Sequence, residues 1–150
     1  MSLEVNINDK IKEAMRAKDR DTLEALRAIK NAILMAKSEA GASDVLSQDD
    51  EIKLLQRLQK QRKEAATLYV EQGRQDLADP ELFQSDVIAQ FLPKQMDEAE
   101  LRSALEAIIT KVGAAGPQDM GKVMGMASKE LAGKAEGRMI ADTVKALLQI

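Results

Sequence analysis

The sequence predicts an all-α protein: an N-terminal four-helix part followed by a C-terminal three-helix tail domain. Three observations lead there. Apolar residues return at spacings of three and four along nearly the whole chain, and no stretch alternates with the period of two that a strand requires. Only 2% of residues are aromatic (Tyr69, Phe83 and Phe91), so the core is aliphatic; Leu, Ile, Val, Met and Ala with 31% charged residues favour helix over sheet. Caps, glycines and prolines then cut the pattern into seven pieces.

The first helix spans about residues 3–18, with Ile7, Ile11 and Met15 as its apolar stripe. Asp21 and Glu24 read as a capping box for the second, whose inner set is Leu23, Leu26, Ile29, Ile33 and Leu34. Gly41 is its expected C-terminal cap, before a loop over residues 42–47. Ser47 caps the third helix, and Asp49, Asp50 and Glu51 suit the positive end of its dipole. That helix runs to about Gln72, with Ile52, Leu55, Leu58, Ala65, Leu68 and Tyr69 inward, and Gly73 ends it. After the polar turn Gly73–Leu77, Asp79 followed by Pro80 marks the start of a short fourth helix lined by Leu82, Phe83, Val87 and Phe91.

Pro93 pushes Leu92 out of the helical region, and Asp97 with Glu100 forms a fresh capping box. The domain boundary therefore falls here: residues 1–92 form the N-terminal helical domain, 93–96 a hinge, and 97–150 the tail domain. In the tail, Leu101, Leu105, Ile108, Ile109 and Val112 face inward on a helix capped by Gly113. A loop through Gly116-Pro117 leads to a sixth helix, about 119–131, with Met120, Val123, Met124, Ala127 and Leu131 inward. A Gly133–Gly137 turn precedes the last helix, lined by Ile140, Val144, Leu147 and Leu148. A 54-residue segment buries a small core and would be marginal alone.

Composition removes several chemistries. The chain has no cysteine and no histidine, which excludes disulfides, Cys zinc sites, Cys nucleophiles, Ser-His-Asp triads and His general bases. No apolar run approaches the roughly 20 residues that span a bilayer, and the N-terminus lacks a signal-peptide pattern, so a cytoplasmic protein without a membrane partner is expected. The acidic triplet Asp49-Asp50-Glu51 has no calcium-loop spacing, and neither a metal nor another cofactor is expected. Net charge is −3, from 22 basic and 25 acidic residues, so any nucleic-acid contact must come from a local patch.

The basic stretch Arg57, Lys60, Arg62, Lys63 reads as a solvated helix face, and Arg74 with Asp76 as an ion pair at a corner. The tail is more informative. Gly121 and Gly125 lie four apart in a helical pattern, where each costs about 1 kcal/mol relative to Ala. Either a neighbouring helix or a ligand approaches that backbone; tight helix contact is the plainer reading. Gly133 and Gly137 flank a turn, and Lys122, Lys129, Lys134 and Arg138 fall near it. Arg138 in a first turn opposes the dipole, which favours an anion partner at that helix start. No Walker motif exists, because neither Gly121-Lys122 nor Gly133-Lys134 is followed by Ser or Thr.

The blocks Arg74-Gln-Asp-Leu77, Phe91-Leu-Pro-Lys-Gln95, Asp119-Met-Gly-Lys-Val-Met-Gly125 and Gly133-Lys-Ala-Glu-Gly137 together resemble the YqeY-like proteins. These are stand-alone relatives of the C-terminal tail region of the tRNA amidotransferase B subunit. Relatives often carry Tyr before Leu-Pro and Asp where Glu136 stands. The resemblance implies an all-α fold with a small tail domain, and tRNA binding by that tail. It also implies an amidotransferase or aminoacyl-tRNA synthetase complex as partner. It carries a link to carbon–nitrogen ligation with glutamine as amido donor, although the kinase-like cradle of the full subunit is missing from this chain. A protein-interaction module without RNA is the third reading.

A glutaminase needs an activated nucleophile, and the remaining Ser-Lys option fails because Ser128 and Lys129 are helix neighbours that do not face each other. The purified chain is therefore expected neither to hydrolyse glutamine nor to amidate Glu-tRNA alone. Ammonia release above background, abolished by one substitution, would refute this.

Overall fold

The computed structural model describes residues 2–39 and 46–149. Among them it shows seven α-helices and no strand: α1 (Leu3–Ala17), α2 (Arg20–Glu39), α3 (Gln48–Glu71), α4 (Gln75–Ala89), α5 (Glu98–Val112), α6 (Met120–Glu130) and α7 (Gly137–Leu148). A 3-10 turn, Pro117–Asp119, leads into α6. The all-α class is as expected. The chain divides into two compact units, Met1–Leu92 and Pro93–Ile150. No helix of the described residues is long and apolar enough to cross a membrane. The expected Gly41 cap lies outside the described residues, as do residues 42–45 of the expected loop.

In the first unit the corners are made by left-handed residues. Lys18 (φ 56°) ends α1, with the Asp19 amide donating to Ala14 O at 3.0 Å and the Lys18 amide to Met15 O at 3.2 Å. Asp19 then opens α2, its carboxylate accepting from the Thr22 amide at 3.2 Å and the Thr22 hydroxyl at 2.7 Å. This corrects the expected Asp21–Glu24 box: the helix begins at Arg20, so the cap lies one turn-corner earlier. Ser47 caps α3 as expected, accepting from the Asp50 amide at 3.1 Å.

Gly73 (φ 73°) closes α3, with the Arg74 amide on Tyr69 O at 2.7 Å. Here the expected Asp79-Pro80 start is overturned, because α4 begins at Gln75 and Pro80 lies inside it. Two interactions hold the extra turn. Arg74 clasps Asp76 through two bonds of 3.0 and 2.9 Å, and Ala78 is wholly buried. Pro80 lacks the N–H that would reach the Asp76 carbonyl, but both residues are exposed, so water can serve that oxygen.

The core of this unit centres on Ile7, Leu26, Ile29 and Leu55, with Ile33, Leu54, Val87, Ile88 and Leu92 around them. Five residues expected inside are exposed: Met15, Leu34, Leu68, Leu82 and Phe83. At about 100° per residue a strict spacing of four drifts off the buried face. Ala14 sits nearer Ile7 in angle than Met15 does, and Ile33 nearer Leu26 than Leu34 does, and those are the residues buried. Phe83 lies on the side of α4 away from Ile88, where Ser85 and Ala78 fill the interior instead. Arg62 pairs with Glu81 at 3.4 Å and Lys60 with Glu64 at 4.0 Å, so part of the basic stretch is structural.

The second unit packs α5, α6 and α7 around Leu101, Leu105, Val123, Ala127 and Val144, each fully buried. Asp97 caps α5, accepting from the Glu100 amide at 2.7 Å, and Gly113 (φ 69°) ends it. Residues 90–97, between α4 and α5, contain no helix.

The Asp97 carboxyl is held below its ordinary range, first by the Glu100 amide, with Lys94 also favouring the charge. A depressed folded-state value means the cap stabilises the protein above the unfolded carboxylate value of about 3.9 and ceases to as pH falls through the lower folded value. Asp97→Ala should thus melt below the wild type at pH 7, with the gap closing as pH drops below about 4. Thermal scans from pH 7 to pH 2 check this; a constant gap would show that the ionised carboxylate is not the stabilising group.

Candidate nucleic-acid interface

Four residues that the sequence marks in the tail are cations, and all four are exposed. α6 is amphipathic. Val123 and Ala127 define its buried side, while Gly121, Lys122, Gly125, Ser128 and Lys129 fall within an opposite arc of about 120°. Lys122 and Lys129, two turns apart, are thus brought onto one face, about 10 Å apart along the axis. Lys129 also lies in the last turn of α6, where a cation suits the dipole.

Lys134 stands in the turn after α6, and Arg138 in the first turn of α7. Neither the four candidates nor their side chains form a salt bridge among the described residues, whereas the tail's Arg102 and Lys111 pair with Glu106 and Glu130. The start of α7 has no side-chain cap and no acidic residue in its first turn. Its first amides, from Gly137 to Met139, lie before any intrahelical acceptor. The site therefore offers three exposed ammonium groups and one guanidinium suited to phosphate oxygens, beside a helix start whose N-cap residue is Glu136.

The glycines separate into two kinds. Gly133 has φ 76° and is buried, so it serves the turn itself. Gly121, Gly125 and Gly137 are exposed, and a Cβ at any of them would meet nothing within 4 Å. This corrects the plainer sequence expectation, since among the described residues of the second unit no neighbouring helix lies against Gly121 and Gly125. Their face is open.

One residue of the arrangement was missed at the sequence level. Gln95 donates to Gly133 O at 2.6 Å, and the Met96 amide to Lys134 O at 2.9 Å, so Pro93–Met96 grips the Gly133–Lys134 turn. The only sequence signal was that both segments belong to marked blocks. Asp119 similarly braces the approach to α6, accepting from the Ala115 amide at 2.9 Å.

A model of the Yqey-like protein family matches residues 4–148. The chain belongs to that family. No curated protein matches it. The family match spans both units, so the patch sits within a family-wide framework and not in an added segment.

A concavity of about 420 Å³ in the first unit is lined by Asp21, Glu24, Asp76, Asp79, Pro80, Phe83 and Gln84. Its four carboxylates would repel a phosphate backbone. Among the described residues no group of three or more His, Cys, Asp or Glu side chains converges as a metal site would.

Because Gly125 meets open space in a helix interior, Gly125→Ala should stabilise the protein by up to about 1 kcal/mol. Gly133→Ala should destabilise it by about 1 kcal/mol or more, since a Cβ strains the left-handed backbone. Urea denaturation of both variants measures the pair. A destabilised Gly125→Ala would reveal a backbone neighbour and remove the open-face description.

Proposed function

We propose that this chain is a tRNA-binding accessory module, resembling the tail of the B subunit of the glutamine-dependent aspartyl/glutamyl-tRNA amidotransferase. The observation that carries the reading is the set of exposed cations Lys122, Lys129, Lys134 and Arg138, unpaired among the described residues, beside an open glycine face and a helix start with no side-chain cap. Phosphate contacts position a nucleic acid without reading its sequence. The tail has no aromatic residue to stack on a base, so shape and backbone are what it recognises. Gly121, Gly125 and Gly137 let the two backbones come close, whereas the buried Gly133 serves the turn that carries Lys134.

The patch acts locally. Residues 97–150 hold 7 Lys and Arg against 8 Asp and Glu, a net of −1. Binding is therefore modest and steeply dependent on salt, since each phosphate contact releases counterions. Any part in glutamine-dependent carbon–nitrogen ligation would run through a partner complex that supplies the catalytic groups, with this chain holding the tRNA.

A salt titration of folded tRNA binding, with wild type and with Lys122, Lys134 and Arg138 changed to Ala, tests the reading. Each lost phosphate contact should weaken binding across tRNA species and lower the log–log salt slope by about 1. Identical affinity and slope in the triple variant would make the patch a solvated surface and favour a protein-interaction module without RNA.

A further inference from the structure

Pro93–Met96 opens the second unit without forming a helix, yet its backbone and one side chain are committed. The Gln95 side-chain nitrogen donates to Pro93 O at 2.9 Å and to Gly133 O at 2.6 Å. A primary amide has two N–H groups, and both are used. The next residue donates its backbone N–H to Lys134 O at 2.9 Å. Two successive residues thus hold two successive residues 38 positions later.

The consequence falls on Lys134. Its N–H donates to Leu131 O at 3.0 Å and its carbonyl is taken by Met96, so its backbone is fixed on both sides. Only its exposed ammonium is left for a ligand. The Gly133 carbonyl and the Lys134 N–H share one planar peptide unit, so the Leu131 O contact holds that unit from one side and the Gln95 donor, at 2.6 Å, holds it from the other. Arg138 follows four residues later, at the helix start that this turn delivers.

We propose that Gln95 is a positioning residue for the phosphate-binding corner: its hydrogen bond to Gly133 O, with the side chain braced by a second bond to Pro93 O, locks the Gly133–Lys134 turn so that Lys134 and Arg138 meet a phosphate together. This rests on the proposed tRNA reading. Gln95 need not touch the ligand. Its effect passes through Lys134, which separates positioning from direct contact and from general support of the fold.

The test is a double-mutant cycle on tRNA binding. Gln95→Ala removes both donors, and Gln95→Glu replaces them with a carboxylate facing two carbonyl oxygens. Each should weaken binding about as much as Lys134→Ala does. In the Lys134→Ala background, Gln95→Ala should leave affinity within about twofold of the single variant, because independent effects would multiply. Amide exchange should quicken at Met96 and Lys134 while Leu105 and Val123 keep wild-type protection. If Lys134→Ala weakens binding but Gln95→Ala does not, the positioning role is wrong and the tRNA reading stands. Equal losses from Gln95→Ala in both backgrounds would also overturn it, in favour of a general structural role. If neither Lys134→Ala nor the triple variant changes binding, the tRNA reading fails and this role falls with it.

Discussion

Aliphatic packing without aromatic anchors is the constraint on which the rest of this structure depends. Leu101, Leu105, Val123 and Val144 are fully buried in one unit, and Ile7, Leu26, Ile29 and Leu55 in the other. Burying such a side chain contributes about 1.5–3 kcal/mol, and small side chains fill space only when helices meet at closely set angles. The corners must therefore hold. Lys18, Gly73, Gly113 and Gly133 all adopt the left-handed conformation where a helix or turn reverses, and Asp19, Ser47 and Asp97 secure the next helix starts. Core and corner are two halves of one requirement: each helix is held by apolar contact along its length and by hydrogen bonds at its ends.

The fold was legible wherever a local signal agreed with burial. Ser47, Asp97 and Gly113 cap the helices that the sequence assigns to them because a cap needs only a few neighbouring residues to act. Helix faces were less legible. A spacing of four put Met15 inside where Ala14 is buried, and Leu34 was counted inward beside Ile33 although only Ile33 is buried; angle, and not apolar character alone, decides which side chain points inward. The start of α4 failed for a related reason. Asp79-Pro80 is a strong local start signal, but tertiary packing of Ala78 and the Arg74–Asp76 pair extend the helix past it. The pair also shows in the ionisation of its members: the Arg74 guanidinium holds Asp76 below the usual carboxylate range, and the carboxylate raises Arg74.

The candidate site was legible in its charges and not in its supports. Lys122, Lys129, Lys134 and Arg138 stand out in sequence because they cluster with glycines in a tail of net −1. Gln95 does not, because its significance is a contact with Gly133 across 38 residues, and no short-range pattern encodes such a bond. A polar side chain in a Pro-containing connection looks like solvated linker until its partners are known. Here both of its donors are bonded to backbone carbonyls.

The exposed glycines give the sharpest physical argument about what the tail meets. Gly in a helix interior costs about 1 kcal/mol relative to Ala, and a methyl group at Gly121 or Gly125 would meet nothing within 4 Å. Among the described residues, then, the glycines weaken α6 and gain no contact in return. An open backbone flanked by Lys122 and Lys129 is useful to a ligand that must lie flush against the helix while its anionic groups reach the ammonium groups on one edge. A ribose-phosphate backbone has that form: a rigid surface with charges at regular intervals. A partner helix would fit the glycine face equally well in shape, but it would need acidic residues along the lysine edge. Lys122 and Lys129 thus set the condition of charge that either partner must satisfy, which shape alone does not.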